Sequence, residues 1–380
     1  MIKENINKPK SGQFDFILFI TVLIMLGFGL IMVLSASSPT ALSKGKGSYH
    51  YVLIQTISAI IGVIMMLAIS KINYKVWGKL YKVMYIGSII ILFAVLIPGL
   101  KYTAGGATRW INLKFTTFQP SELVKIAMII FFARYLTEHR DKIGKLKEGF
   151  IYPIIIALPI ILILIFVQSH LSAAAVIGII VVILMLMAGT KLRYFLTLGV
   201  TGLGLGGLAL YLLAKFRNIG LYRLKRVTAF LDPWSDPTDT GYQVIQSLYA
   251  IGSGGLFGVG LGNSTQKYLY IPEPQNDFIF AIIAEELGFI GCLMVIMLFA
   301  IFIWRGVVIA IKAPDSFGSL VAIGITALVA LQAIINIAVV TSSIPNTGMP
   351  LPFFSYGGTA LLILLCSVGI LLNISRYQKN

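Results

Sequence analysis

Charge is scarce in this chain. Only 12% of its 380 residues are Asp, Glu, Lys or Arg, about half the share usual for a soluble domain, while 58% are hydrophobic. That balance excludes a soluble globule and reads as a polytopic membrane protein. Acidic side chains are the rarer kind, 14 against 30 basic ones, for a net charge of +16. The basic excess forms no nucleic-acid patch, because Lys and Arg fall in the connections between apolar runs, and no nucleic-acid partner is expected. Cysteine is nearly absent. Cys292 and Cys366 sit inside apolar segments without paired or metal-ligand spacing, which excludes a disulfide framework and leaves two small buried hydrophobes.

Long apolar runs are what the chain has in quantity. Runs near the length that crosses about 30 Å of hydrocarbon occur near residues 14–37, 49–70, 82–98, 119–137, 151–168, 171–189, 194–213, 278–304, 316–340 and 353–374. The expected fold is all-α: one integral membrane domain over 1–380, with ten transmembrane helices and one large extracellular loop, 214–276. The first run follows Lys8 and Lys10 but is too long for a signal peptide and lacks a small-residue cleavage site, so it reads as an anchor. Ten spans put both termini on one side. With the N-terminus inside, the inner segments hold 18 Lys and Arg and the outer ones 11, six of these in the long loop; both termini are expected in the cytoplasm.

The long loop mixes turn formers, aromatics and apolar residues, a composition that suits a folded lid on the bilayer surface. Its "IGSGGLFGVGLG" (251–262) lacks the Gly-Lys-Ser/Thr ending of a nucleotide-binding loop. Two readings stay open: glycines that let the loop lie close to helices, or backbone amides that meet a substrate pyrophosphate.

Several charges stand where hydrocarbon should forbid them. In "FQPSELVKIAMIIFFARYL" (118–136), Pro120 fits a first helical position and Glu122 fits a capping-box acid. A cap does not explain Lys125, one turn on and on the same face, so the two are expected to pair and line a polar cavity. Arg109, beside Trp110 in "GGATRWINL", is either a surface charge or a cavity cation. "NTGMPLPFFSYGG" (346–358) breaks the mouth of the last span with Pro350, Pro352, Gly357 and Gly358, a break tolerated only where the freed backbone is buried in protein or faces water. In "YIPEPQNDFIFAIIAEELGF" (270–289), Asn276 reads as an N-cap and Asp277 as a first-turn acid. Glu285 and Glu286 follow roughly 12–13 Å deeper, and at least one should point into the bundle.

These segments resemble a known family. "AFLDPW", "GYQVIQSLYAIGSGGLFGVGLGNSTQK", "YIPEPQNDFIFAIIAEELGF", "FQPSEL" and "LPFFSYGG" have the order and spacing of the SEDS proteins (shape, elongation, division and sporulation), the group of RodA, FtsW and SpoVE. The resemblance covers residues 14–377, and "QKYLYIPEP" and "ILLNISRY" place it nearer the FtsW/SpoVE branch. It implies a peptidoglycan glycosyltransferase of the cytoplasmic membrane that polymerises lipid II in division or sporulation. It also implies a class B penicillin-binding protein as transpeptidase partner, among other divisome or sporulation proteins. By the same resemblance Asp277 is the essential aspartate, Glu122 and Lys125 line the central cavity, and Arg109 belongs to another family motif. A lipid II flippase is the alternative, although no internal repeat of the transporter kind is evident.

Two departures mark this chain. "VQSHLSA" puts His170 where the family usually has the aspartate of Pro-Asp-Leu-Gly-Thr, and Ile54-Gln55 stands where Arg-Gln is usual. An unperturbed histidine there would change charge between about pH 5 and 8, and His170→Asp is expected to keep or raise activity. Chemically, Asp277 would take the proton of an acceptor sugar hydroxyl. Cations would meet the developing pyrophosphate charge: Arg109, Lys125, the Arg223, Lys225 and Arg226 cluster, and Lys267, with Glu285 as a further substrate contact. A divalent metal, magnesium or manganese, is the alternative source of that charge; its ligands are not visible in the sequence.

Overall fold

The computed structural model describes residues 12–99, 101–104, 107–112, 117–197, 232–235, 237 and 241–378. Its helices are α1 (Phe16–Ser43), α2 (His50–Ile69), α3 (Lys75–Lys79), α4 (Tyr81–Ala94), α5 (Pro120–Glu138), α6 (Tyr152–Leu162), α7 (Leu171–Ala188), α8 (Tyr242–Gly254), α9 (Ile279–Ile311), α10 (Ser316–Val340) and α11 (Gly358–Ser375). Wider π-helical turns extend α6 at both ends, making one segment from Lys147 to Val167. Among the described residues, seven segments are long and apolar enough to cross a membrane: α1, α2, the α6 segment, α7, α9, α10 and α11. The shorter α4 and the charge-bearing α5 answer two more of the expected spans. The expected span 194–213 lies outside the described residues beyond Thr197. The chain is thus an all-α, multi-pass membrane protein.

The outer surface is apolar, as lipid requires. Ile57 and Ile64 of α2, Ile86 and Ile90 of α4, and Phe289 of α9 all face outward. Inside, helices approach closely where one side offers glycine: Gly62 meets Leu365, Gly306 meets Thr326 and Gly324 meets Ile129. Polar side chains stitch one end together. Asp15 caps α1 through the Leu18 amide at 2.9 Å and pairs with Arg305, Tyr74 donates to Asp315 at 2.7 Å, and Asn373 donates to the Ser70 carbonyl at 2.8 Å.

At the other end the connections are elaborate. Strands β1 (Lys101–Ala104), β2 (Ala107–Asn112) and β3 (Thr117–Phe118) form a small antiparallel sheet in the connection between α4 and α5. From the long loop, α8 buries Val244, Ile245 and Ala250, and its Ser247 donates to the Val340 carbonyl of α10 at 2.7 Å. The last span begins five residues later than expected, at Gly358. Leu351–Ser355 are buried in an irregular turn: the Phe354 and Ser355 amides donate to the Leu351 carbonyl, the Leu351 amide to the Ser355 hydroxyl, and the following Tyr356 amide to the Gln275 carbonyl. The freed backbone is therefore enclosed in protein, as a broken span demands.

Candidate active site

Asp277 does not cap a helix. α9 starts at Ile279, its N-cap is Phe278 with no side-chain bond, and no acid occupies its first turn. Asn276, expected as the cap, instead donates to Glu273 at 2.8 Å. The backbone of Asp277 is fixed by Asn336 of α10, whose amide nitrogen donates at 2.7 Å both to the Asp277 carbonyl and to that of Met349. Gly348 faces the carboxylate so closely that an added Cβ would lie 3.5 Å from Oδ2. Among the described residues, no side chain hydrogen-bonds or ion-pairs with this half-buried carboxylate. Burial pushes it up to about 6; its own backbone N–H opposes the rise and Glu273 adds to it. Glu273 itself is held by Lys44 at 2.6 Å.

A second polar group is built on α5. Lys125 Nζ lies 2.7 Å from Glu122 Oε1, the lysine side chain 1% exposed and the glutamate 12%. Glu122 serves no capping box, since the N-cap Gln119 makes no side-chain bond. Arg109 of β2 donates through Nε to the Gln168 carbonyl at 3.3 Å and through Nη2 to that of Ser169 at 2.6 Å. These bonds hold the turn that presents His170 at the head of α7. Burial first, then Arg109 and Lys125, lower the His170 imidazole to about 3, which favours a neutral ring from pH 5 to 8. The two groups share one loop: Ser172 donates to Thr347 at 2.7 Å, and the next residue, Gly348, abuts Asp277.

Other sequence candidates lie elsewhere. Arg223, Lys225 and Arg226 fall outside the described residues. Glu285 and Lys267 do not join the Asp277 group. Glu285 accepts from the Ser264 hydroxyl and the Thr265 amide, and Lys267 is buried in an ion pair with Glu286 at 2.9 Å. In these bonds Glu285 and Lys267 fasten the loop to α9. Ile54-Gln55 places Gln55 as a bracket: it donates to the Ser355 carbonyl and accepts from the Gly357 amide, each at 3.1 Å. Asn336 was missed by the sequence reading, although an amide inside the apolar run "LQAIINIAVV" was a signal for it. Among the described residues no cluster of three or more His, Cys, Asp and Glu is arranged to hold a metal ion. A cavity of about 390 Å³ opens at the opposite end, between Thr137, Arg140, Asp315 and Ser319, and contains none of these candidates.

The family model for FtsW, RodA and SpoVE, described as cell cycle protein, matches residues 16–380. The chain belongs to the FtsW/RodA/SpoVE family. It is 44% identical to stage V sporulation protein E of Bacillus subtilis over 97% of this chain and 99% of that one. It is 41% identical to a probable peptidoglycan glycosyltransferase FtsW of Geobacter sp. strain M18, over 97% and 98%. Among solved structures, a chain of a peptidoglycan synthase complex that coordinates polymerization and crosslinking superposes with a TM-score of 0.78 at 26% identity, over 96% and 98% of the two chains. Thermus thermophilus RodA superposes at 0.69 with 23% identity, over 97% and 98%, and shares the fold.

Proposed function

We propose that this FtsW/RodA/SpoVE protein is a peptidoglycan glycosyltransferase that polymerises lipid II, with the Asp277 end of the bundle facing outward and both termini in the cytoplasm. The observation that carries the reading is the Asp277 carboxylate: it stands ahead of a helix it does not cap, free of any described ion pair, with an elevated affinity for protons. Relatives named as peptidoglycan glycosyltransferases support the activity. The likeness to a chain of a synthase complex supports assembly with a class B penicillin-binding protein, alongside other division or sporulation membrane proteins. The orientation is supported by the basic connections at the opposite end, which include Lys71, Lys75, Lys79, Arg140, Lys142 and Lys145.

In the reaction the 4-hydroxyl oxygen of the acceptor sugar attacks C1 of the donor sugar. The C1–O bond to undecaprenyl pyrophosphate breaks, the pyrophosphate leaves with the bonding pair, and the hydroxyl proton passes to Asp277. General-base help of this kind is worth about 10² to 10⁴ in rate. Lys125, oriented by Glu122, and Arg109 meet the charge growing on the pyrophosphate, as Arg223 and Arg226 would from the long loop. Beside Asp277, Glu273 is engaged by Lys44, and among the described residues no cluster of three or more His, Cys, Asp and Glu is arranged to hold a metal ion. Purified protein with its partner and lipid II tests the reading: glycan strands support it, while lipid II flipping without strands assigns the chain to transport.

A further inference from the structure

The acids inside α9 turn away from the reaction and close a loop around it. α9 is two helices joined at Gly288, whose φ of 65° and ψ of −163° belong to a region that only glycine occupies readily. In a continuous helix Phe289 would donate to Glu285, and Ile290 to Glu286. Here Phe289 and Ile290 donate to the carbonyls of Gly255 and Leu256, at 2.9 and 3.2 Å, and the freed carbonyls of Glu285 and Glu286 accept from Val259 and Gly260 at 3.0 Å. The glycine-rich stretch is thus a strand-like splint across a helix break. Gly258 lies against the Glu286 carbonyl with no room for a Cβ, which selects the close-packing reading of this motif over the phosphate-binding one.

The side chains of the same two glutamates grip the next part of the loop. Glu286 accepts from Lys267 at 2.9 Å and from Ser35 of α1 at 2.6 Å; Lys267 also donates to Ser35 at 3.1 Å and to the Gly262 carbonyl. Glu285 takes the Ser264 hydroxyl and the Thr265 amide, the latter at 2.9 Å. The ion pair is enclosed, Lys267 at 4% exposure and Glu286 at 0%. From Lys267 the chain runs out through 268–276 to Asp277 and returns down Ile279–Leu287 to the same clamp. Asp277 stands at the far turn of a segment closed at its base.

We propose that Lys267, Glu286, Glu285 and Ser35 are positioning residues for Asp277. Nine residues of helix between Ile279 and Gly288 are too few to hold their own direction by helical continuity. Apolar burial of Ile279–Ala284 sets the depth of this half-helix. The clamp sets its rotation about Gly288, and with it the place where the carboxylate meets the acceptor hydroxyl. The inference rests on Asp277 being the base of the polymerase reaction.

A buried ion pair can be replaced by apolar side chains of similar volume without loss of stability, whereas removal of one partner leaves an uncompensated charge. The test is therefore the double variant Lys267→Met with Glu286→Leu in the full-length protein, assayed with its partner on lipid II. Positioning predicts a Tm near that of the wild type, KM within about threefold and kcat lowered at least tenfold. The acid limb of the pH–rate profile should also move from near 6 toward about 4, because a loosened loop lets water reach Asp277; Glu273, held by Lys44, is the other charge beside it. A stable double variant with wild-type kcat and an unmoved acid limb would overturn the proposal. Ser35→Ala carries no charge change and serves where the double variant fails to fold: a several-fold fall in kcat at unchanged Tm is expected, and unchanged kcat overturns it. Failure of the wild type to polymerise lipid II strikes the function itself, independently of either variant.

Discussion

Lys125 Nζ sits 2.7 Å from Glu122 Oε1, one turn apart on α5, in a helix whose inward residues from Ile126 to Ala133 are apolar. The pair is enclosed, so each charge is tolerable only in the presence of the other. Glu122→Leu and Lys125→Leu should each lower the yield of folded protein, while the double change should fold better than either single one. All three should lose polymerase activity if the pair meets the pyrophosphate. Equal yields across the three variants, measured by size-exclusion chromatography of detergent extracts, would show that the ion pair is incidental.

Gly288 offers a backbone test. Alanine there must adopt a conformation that costs about 1–3 kcal/mol, and its Cβ would press on the Gly258 amide and the Leu256 carbonyl. Gly189, at the C-terminus of α7 with φ 105°, has open space around its Cβ position, so alanine there costs about 1 kcal/mol. Gly288→Ala should lower Tm clearly more than Gly189→Ala. Matching melting curves for the two would contradict the splinted break.

His170 is neutral over the working range because burial and two cations hold its pKa down to about 3. The pH–rate profile between 5 and 8 should therefore have the same shape in wild type and in His170→Asn. An inflection present in the first and missing in the second would mean that the imidazole titrates. A carboxylate at this position would find Arg109 and Lys125 beside it, so His170→Asp should keep or raise activity. Loss as deep as that of an Asp277 variant would give the histidine a role of its own.

Much of this was legible in the residues, for reasons that differ by region. Helices such as α1, α7 and α10 follow from apolar length alone, because lipid leaves the backbone no alternative to internal hydrogen bonding. The Glu122–Lys125 pair was legible because two charges one turn apart in hydrocarbon have few other solutions. The start of α11 was misplaced by five residues because Phe353 and Phe354 are as apolar as any span and are buried in a turn instead. Asn276 looked like a cap, but its amide is taken by Glu273 and α9 begins without one. Glu285 drew notice as a charge inside a span, and Lys267 as a cation of the long loop. Their partners Ser264, Thr265 and Ser35 are brought to them by a fold that local pattern does not encode.

The central claim is that Asp277 is the base. Asparagine keeps the size of the side chain and removes both the proton acceptor and a carboxylate whose ionisation burial opposes. The native pKa is raised above that of the unfolded chain, so the ionised group costs stability above about pH 6, and the variant should show an equal or higher Tm at neutral pH. The wild-type rate should fall as pH drops through about 6, where the base becomes protonated. The deciding measurement is glycan polymerisation from lipid II by folded, partner-bound Asp277→Asn protein at pH 7.5. A loss of about two orders of magnitude or more with lipid II binding retained is the predicted result; near-normal strand synthesis would contradict it.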